Sequence, residues 1–253
     1  MRREEQIRKY YYTLYSAWGR QHWWPAQSRF EVIVGAYLTQ NTSWSNVEKA
    51  LNNLRQARKL NLGGVRELTL PTLERLIRSA GYFRQKARRL KIFVQFLDQT
   101  YGGSLQRMFA QPTAQVRQQL LDLEGVGPET ADAILLYAGN HPVFVVDAYT
   151  RRILERHGLA SAKTGYEDIR ELFQQALASI KRNEGKLADI ARAAIESRRG
   201  LSHPPSRISS ASRPPLVQVF NEMHGLIVGV GKNYCLKSQK RCEQCPLQKF
   251  LPE

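Results

Sequence analysis

The stretch that decides the fold is Leu123–Arg152, which reads LEGVGPETADAILLYAGNHPVFVVDAYTRR. It opens with Gly125–Gly127, two glycines around a valine, and such a pair permits backbone angles that other residues avoid. Pro128 suits the first position of a helix, and Glu129 falls in the first turn, where the helix dipole favours a carboxylate. A glycine turn leading into a helix leaves backbone N–H groups that can bind a DNA phosphate. The turn alone is weak evidence, because many helix–turn–helix corners use glycine only for close packing.

The second half of this stretch places an aspartate at the start of another helix. The apolar segment Val143–Val146 ends at Asp147, and Tyr149–Arg152 follows. Asp is a frequent N-cap, and capping requires no further function. A cap does not explain why Asp147 stands between an anion-binding turn and a basic segment, so the pattern indicates a role beyond capping.

The rest of the chain also shows helical periodicity, with apolar residues spaced three and four apart. Helices are predicted at Glu4–Trp18, Phe30–Leu38, Pro71–Ser79, Arg84–Gln99, Pro112–Leu121, Glu129–Tyr137, Ala148–His157, Tyr166–Ile195 and Val217–Val230. Ser43 is expected to cap a further helix running through Leu54. The one convincing extended stretch, Val143–Val146, is too short and isolated to build a sheet. The sequence therefore predicts an all-α fold.

Charge gives the first indication of a partner. The 253 residues include 38 Lys and Arg and 22 Asp and Glu, which leaves a net charge of +16. Such an excess favours a polyanion, although a generally basic protein such as a ribosome-associated factor would share it. The sequence contains neither an apolar run long enough to span a membrane nor the apolar core of a signal peptide. We therefore expect a cytoplasmic protein without a membrane partner.

Two segments near the C-terminus depart from the helical pattern. Residues 198–215, rich in Ser, Pro and Arg, are expected to form a flexible, solvated insertion. The three cysteines, Cys235, Cys242 and Cys245, lie within eleven residues of one another. An odd, clustered set in a chain without a signal peptide argues for a metal or iron–sulfur loop and against disulfides.

Taken together, these blocks resemble the helix–hairpin–helix DNA glycosylase superfamily, in its endonuclease III branch. The matching blocks are Leu38–Thr42, Gly81–Ala87, Leu123–Ala131, Val145–Arg152 and the cysteine loop. The resemblance implies a monomeric base-excision-repair enzyme of the bacterial or archaeal nucleoid that hydrolyses the N-glycosidic bond of a base flipped out of damaged double-stranded DNA. It also implies two helical lobes, residues 30–146 and residues 1–29 with 147–234, followed by a cysteine tail at 235–253.

The resemblance also assigns roles to individual residues. Asp147 becomes the catalytic carboxylate, and Gln40 becomes a wedge that fills the space left by the extruded base. The DNA-binding set is Gln40, Gly125, Val126, Gly127, Thr130 and Arg151.

Departures from the family pattern reduce the number of activities that the resemblance allows. Bifunctional members carry a Schiff-base lysine where this chain has Glu129, and a carboxylate cannot form an imine. Lys86 is a conceivable substitute. The adenine-mismatch branch uses a glutamate where this chain has Ala36. The chain is thus most similar to the 3-methyladenine DNA glycosylases of endonuclease III type.

That branch implies a base pocket built from Trp23, Trp24, Pro25, Trp44 and Glu129. For Trp23 and Trp24, packing in the core is an equal alternative. A bifunctional glycosylase acting on oxidised pyrimidines and a non-catalytic DNA-binding module stay open as alternatives to the enzyme just described.

The cysteine loop is incomplete by the family pattern. Its three cysteines fit the first three positions of a four-cysteine iron–sulfur motif, and the fourth position falls at Leu251. A [4Fe–4S] cluster normally requires four thiolates. Two readings remain open: a cluster with a fourth ligand from His224 or solvent, or a loop that folds without metal.

Overall fold

The computed structural model describes residues 2–180 and 204–252, and over these residues the fold is all-α, as predicted. The helices are α1 (Arg3–Trp18), α2 (Arg29–Thr39), α3 (Trp44–Gln56), α4 (Leu62–Glu67), α5 (Leu70–Leu76), α6 (Phe83–Tyr101), α7 (Leu105–Phe109), α8 (Thr113–Leu121), α9 (Pro128–Ala133), α10 (Ala148–Arg156), α11 (Tyr166–Ala178) and α12 (Pro215–Asn233). A π-helical turn, Ile134–Gly139, continues α9, and single 3₁₀ turns lie at Arg78–Ala80, Cys242–Gln244 and Gln248–Phe250. In the described ranges, β pairing is limited to one bridge between Cys235 and Lys240.

The chain divides into two compact units, which we call the internal unit (Ala26–His141) and the terminal unit (Met1–Pro25 with Pro142–Glu253). The boundaries at Ala26 and Pro142 fall a few residues before those expected from the sequence. The extended segment before Asp147 therefore belongs to the terminal unit, together with α10.

The internal unit is organised around α2, which is buried from Phe30 to Leu38. Ser28 caps this helix by accepting a hydrogen bond from the backbone N–H of Glu31. Helices α3 and α6 and the π-helical turn pack against α2. Two short helices of this unit, α4 and α7, were not predicted from the sequence, and each begins at a side-chain N-cap, Asn61 or Ser104.

The terminal unit is organised around α12, which is buried from Val217 to Gly231 apart from Gln218 and packs against α1, α10 and α11. The segment Val143–Val146 is extended, as predicted, and buried, and within the described residues it has no strand partner. Two of its backbone N–H groups bond to side chains instead: Phe144 donates to Gln174 Oε1, and Val146 donates to the Tyr166 hydroxyl. The Phe144 ring stacks on Phe173 at 4.2 Å between centroids.

Two expectations for the C-terminal half need correction or fall outside the described residues. The helix predicted to reach Ile195 ends at Ala178, and positions 181–195 lie outside the described residues, as do 198–203 of the expected insertion. From residue 204 to residue 215 most side chains are exposed, as expected of a solvated segment, but two serines anchor it to the rest of the unit. Ser206 and Ser209 are buried and bonded to each other, and Ser206 Oγ donates to the Trp24 carbonyl.

Among the described helices none combines the length and the apolar composition needed to cross a membrane.

Candidate active site and nucleic-acid interface

The glycine turn of the internal unit has the geometry that its sequence requires. Gly125 adopts φ +77°, a left-handed conformation, and Gly127 precedes Pro128 as the N-cap of α9. The two glycines differ in their surroundings. A Cβ on Gly125 would lie 1.9 Å from Arg89 Nε, whereas a Cβ on Gly127 would meet nothing within 4 Å. Gly125 is thus needed for packing within the unit, whereas the backbone at Gly127 is accessible from the surface of the unit.

Gln40, expected to act as a wedge, is hydrogen-bonded to this turn. Its Nε2 donates to the Gly125 carbonyl at 2.9 Å and to Thr130 Oγ1 at 3.0 Å. Its Oε1 accepts from Arg89 at 3.0 Å. Both ends of the amide therefore fix the turn to the end of α2, and a wedge role would require these bonds to open. Sequence reasoning did not find Arg89, which carries no motif of its own.

Lys86 is held in a way that excludes it as a nucleophile in this conformation. The side chain is 1% exposed, and Nζ donates to the carbonyls of Leu38 and Ala80 at 2.9 and 2.7 Å. Burial, the largest cause, lowers the pKa of Lys86 to about 8. A covalent adduct would have to break both bonds and expose the amine, so Lys86 is a poor substitute for the missing lysine.

Tyr82 is a surface residue that the sequence analysis passed over. It is 68% exposed, the one large hydrophobic side chain so exposed in the described part of the chain. Its backbone is left-handed at φ 44°, immediately before α6, a conformation rare for a tyrosine. Arg78 and Arg84 both place guanidinium groups over the neighbouring Phe83 ring. Tyr82 is thus an exposed aromatic whose neighbour in sequence carries two cations, and this suits contact with a nucleic-acid base.

Asp147 forms the N-cap of α10 in the terminal unit. Its Oδ1 accepts from the Thr150 backbone N–H at 2.7 Å and from the Thr150 hydroxyl at 2.8 Å. Its Oδ2 lies 3.6 Å from His224 Nε2, and the carboxylate is 12% exposed. The capping role and a chemical role are therefore compatible, because capping uses one oxygen and leaves the other available.

His224, a candidate fourth ligand by the sequence, lies beside Asp147 and is absent from the lining of the cysteine cavity. Its ring packs against Trp23 and Phe144, each with centroids 6.3 Å away. Burial lowers the pKa of His224, and the charge of Asp147 opposes that shift. The cluster-ligand hypothesis for His224 is therefore wrong.

The expected base-pocket residues divide between the units. Trp23, Trp24 and Pro25 belong to the terminal unit, whereas Trp44 and Glu129 belong to the internal unit. Trp23 and Trp24 are 7% and 6% exposed, and Lys232 Nζ lies 5.6 Å from the Trp23 ring centroid. A cation already occupies that region of Trp23, which disfavours a second cation there. Trp44 is half-buried and Glu129 is exposed at the start of α9.

The basic residues after Asp147 hold neighbouring loops. Arg151, expected to contact DNA, donates to the Thr164 carbonyl at 2.9 Å. Arg152 donates to the Cys235 carbonyl at 2.7 Å and lies over the Tyr149 ring. In this conformation both guanidinium groups stabilise the terminal unit.

The three cysteines line one small cavity with Leu251 and His157. Thus the fourth cysteine position is occupied by an aliphatic side chain. His157 does not replace it, because Nδ1 bonds to the Tyr10 hydroxyl and a further hydrogen bond joins the ring to the Phe250 backbone. Within the described residues, no group of three or more His, Cys, Asp or Glu side chains is arranged to hold a metal ion. The side chains present do not fit a cluster that needs four thiolates.

The cysteine loop is nevertheless anchored by protein contacts. Arg156 donates to Cys235 Sγ at 3.1 Å, and Leu247 is completely buried. The Phe250 ring packs on Tyr10 with centroids 5.1 Å apart. Burial raises the pKa of the Cys245 thiol, and the other two cysteines contribute in the same direction.

Known proteins share this architecture. Residues 34–179 match a family model described as the HhH-GPD superfamily base excision DNA repair protein. A protein of Methanocaldococcus jannaschii named “Putative DNA repair glycosylase MJ1434” is 37% identical over 247 residues, which are 97% of this chain and 96% of that protein.

Two solved structures are also similar. The H. pylori 3-methyladenine DNA glycosylase MagIII, bound to 1,N6-ethenoadenine, is 26% identical with a TM-score of 0.69, over 90% of this chain and 97% of that one. A trapped endonuclease III–DNA covalent intermediate, 20% identical, gives a TM-score of 0.71 over 100% of this chain and 97% of that one, and this likeness concerns the fold alone.

Proposed function

Since the chain belongs to the HhH-GPD superfamily of base excision repair proteins and is a DNA N-glycosylase, we propose that it is a monofunctional enzyme that releases an alkylated purine from duplex DNA. The observation that carries the proposal is the pairing of an available carboxylate, Asp147, with the lack of a usable lysine at the family's Schiff-base position. Glu129 stands there, and Lys86 is buried under two carbonyls.

Asp147 would supply the electrostatic part of the reaction. When the bond between the base and C1′ breaks, the electron pair leaves with the base and positive charge develops on the sugar. Oδ2 of Asp147 can face that charge, while Oδ1 stays bonded to Thr150. The carboxylate orients a water molecule, which adds to C1′ and passes one proton to that carboxylate and from there to solvent.

An alkylated purine suits this set of groups. Alkylation places positive charge on the ring, so the base leaves as a neutral molecule without a strong acid to protonate it. One solved relative at 26% identity, named a 3-methyladenine DNA glycosylase, supports this class. Of the tryptophans expected to contact the base, we assign cation–π stacking to Trp44 rather than to Trp23, because Lys232 lies over Trp23.

Contact with DNA would use the internal unit. We assign backbone phosphate binding to Gly125–Gly127 and Thr130, and base contact to Tyr82 and Gln40. A net charge of +16 adds sequence-independent attraction, so affinity should fall steeply with salt. For the cysteine loop we propose folding without a [4Fe–4S] cluster, held by Arg156, Leu247 and Phe250.

A lesion panel tests the activity. Duplexes carrying 3-methyladenine, 1,N6-ethenoadenine or thymine glycol are incubated with the enzyme, and free base and strand cleavage are scored separately. We expect release of 3-methyladenine, slower release of 1,N6-ethenoadenine because its ring is uncharged at neutral pH, strand cleavage only after alkali, and no covalent adduct on borohydride treatment. Release of thymine glycol with a trapped adduct would establish the bifunctional alternative instead.

The matched control for the carboxylate is a second aspartate at a helix start in the same unit. Asp168, in the first turn of α11, bonds to the Gly165 backbone N–H at 3.1 Å. Asp147→Asn should lower base release by about a hundredfold or more and leave DNA affinity intact, because it removes about 3 kcal/mol or more of charge stabilisation. Asp168→Asn should leave the rate unchanged. Equal rates in the two variants would refute the assignment of Asp147.

A further inference from the structure

His224 is the side chain that faces the second oxygen of Asp147. Its Nε2 lies 3.6 Å from Oδ2, while Oδ1 is already held by two donors from Thr150. The imidazole is 5% exposed. The distance is slightly long for a hydrogen bond, and catalytic hydrogen bonds in ligand-free enzymes are often long and tighten when substrate binds.

The sequence of α12 explains how a histidine reaches this position. A Cβ on Gly225 would lie 3.1 Å from Cβ of both Gln21 and Trp23, and a Cβ on Gly231 would lie 2.2 Å from the Tyr149 ring. Glycine at both positions lets α12 approach the segment before Trp23 on one side and α10 on the other. The residue next to Gly225 is thereby placed against the N-terminus of α10.

The surroundings of His224 fix its ring and favour its neutral form. Trp23 and Phe144 confine the imidazole, each with centroids 6.3 Å away. Burial lowers its pKa and outweighs the opposing effect of Asp147. A neutral imidazole donates through one nitrogen only, and the nearby carboxylate selects Nε2–H as the donor.

We propose that His224 is a positioning residue, whose Nε2–H holds Oδ2 of Asp147 so that the carboxylate faces the sugar in one orientation. The inference rests on the proposed role of Asp147. A neutral donor orients the carboxylate without cancelling its charge, which a lysine or arginine at the same place would do. With Thr150 on Oδ1 and His224 on Oδ2, rotation about the Cβ–Cγ bond of Asp147 is blocked at both oxygens.

Two substitutions at this position separate the donor from the packing. His224→Phe keeps a ring in the cavity and removes the donor, whereas His224→Gln places an amide N–H at a reach similar to that of Nε2. We expect His224→Phe to slow single-turnover release of 3-methyladenine about ten- to hundredfold, with DNA affinity unchanged. His224→Gln should recover most of the rate. His157→Gln is the matched control, a buried histidine of the same unit bonded to Tyr10, and its single-turnover rate should equal that of the unaltered chain.

The same substitutions in the Asp147→Asn background make the test specific. If His224 acts through Asp147, His224→Phe causes no further loss there, because the partner has already gone. The inference is overturned if His224→Phe retains the full rate, if His224→Gln is as slow as His224→Phe, or if the loss persists in the Asp147→Asn background. Failure of the proposed carboxylate would be seen separately, as full activity of Asp147→Asn alone.

Discussion

The two glycines of the hairpin turn should respond in opposite ways to the same substitution. Gly125→Ala introduces a Cβ 1.9 Å from Arg89 Nε and 2.2 Å from its Cζ, so the arginine must move and lose its 3.0 Å bond to Gln40. Alanine at φ +77° costs roughly 1–2 kcal/mol, and the lost hydrogen bond adds about 1 kcal/mol. We therefore expect the free energy of unfolding to fall by about 2–3 kcal/mol.

Gly127→Ala should leave stability almost unchanged. Its φ of −90° is open to alanine, and nothing lies within 4 Å of the new methyl group. The entropic gain from removing a glycine offsets the weaker capping by alanine, so the net change stays within about 0.5 kcal/mol. Because this methyl would stand where a phosphate approaches the backbone, DNA affinity should fall about tenfold.

Urea unfolding and fluorescence anisotropy on a labelled duplex measure the two effects. Gly125→Ala should shift the unfolding midpoint, and Gly127→Ala should shift only the DNA affinity. The reasoning fails if both variants lose the same stability, or if Gly127→Ala binds DNA as tightly as the unaltered chain.

Three further predictions concern other parts of the molecule. Burial raises the pKa of Glu222 from 4.5 to about 7, so between these pH values the folded state binds more protons than the unfolded state and the free energy of unfolding should fall as the pH rises. Urea unfolding of Glu222→Gln should lack this fall, and an equal fall in both proteins would contradict the prediction. Tyr82→Ala should weaken lesion-duplex binding in anisotropy by about tenfold while Tyr82→Phe does not, and equal affinities would exclude base contact. Leu251→Cys adds the missing thiolate and should bind iron and sulfide by elemental analysis, whereas a full iron content in the unaltered chain would refute folding without a cluster.

Much of the fold could be predicted because the local spacing of apolar residues indicates where most of the helices lie. The apolar spacing of α6 and the N-cap Asp147 are recognisable in the sequence, whereas the Ser28 cap was found only in the structure and the Ser43 side chain makes no capping hydrogen bond. Short helices such as α4, whose six residues include two glycines, depend on a single cap and carry too little pattern to be recognised.

The candidate site could be predicted only where a motif carries it. The glycine turn and Asp147 have such motifs, but the neighbours that tune them do not. His224 meets Asp147 because two glycines of α12, Gly225 and Gly231, let that helix approach its neighbours closely. Arg89 meets Gly125 because that residue has no side chain. Tyr82 is an ordinary tyrosine in sequence, and only its exposure in the fold distinguishes it.

The single ammonium of Lys86 joins two parts of the internal unit that are far apart in sequence. It binds the Leu38 carbonyl, two residues before Gln40, and the Ala80 carbonyl, two residues before Tyr82. Loss of its proton leaves two N–H groups, enough for both carbonyls, so the link survives in alkaline solution. The end of α2 near Leu38 and the turn that ends at Ala80 should therefore open as one cooperative unit, and their amide protons should exchange with deuterium at a common rate.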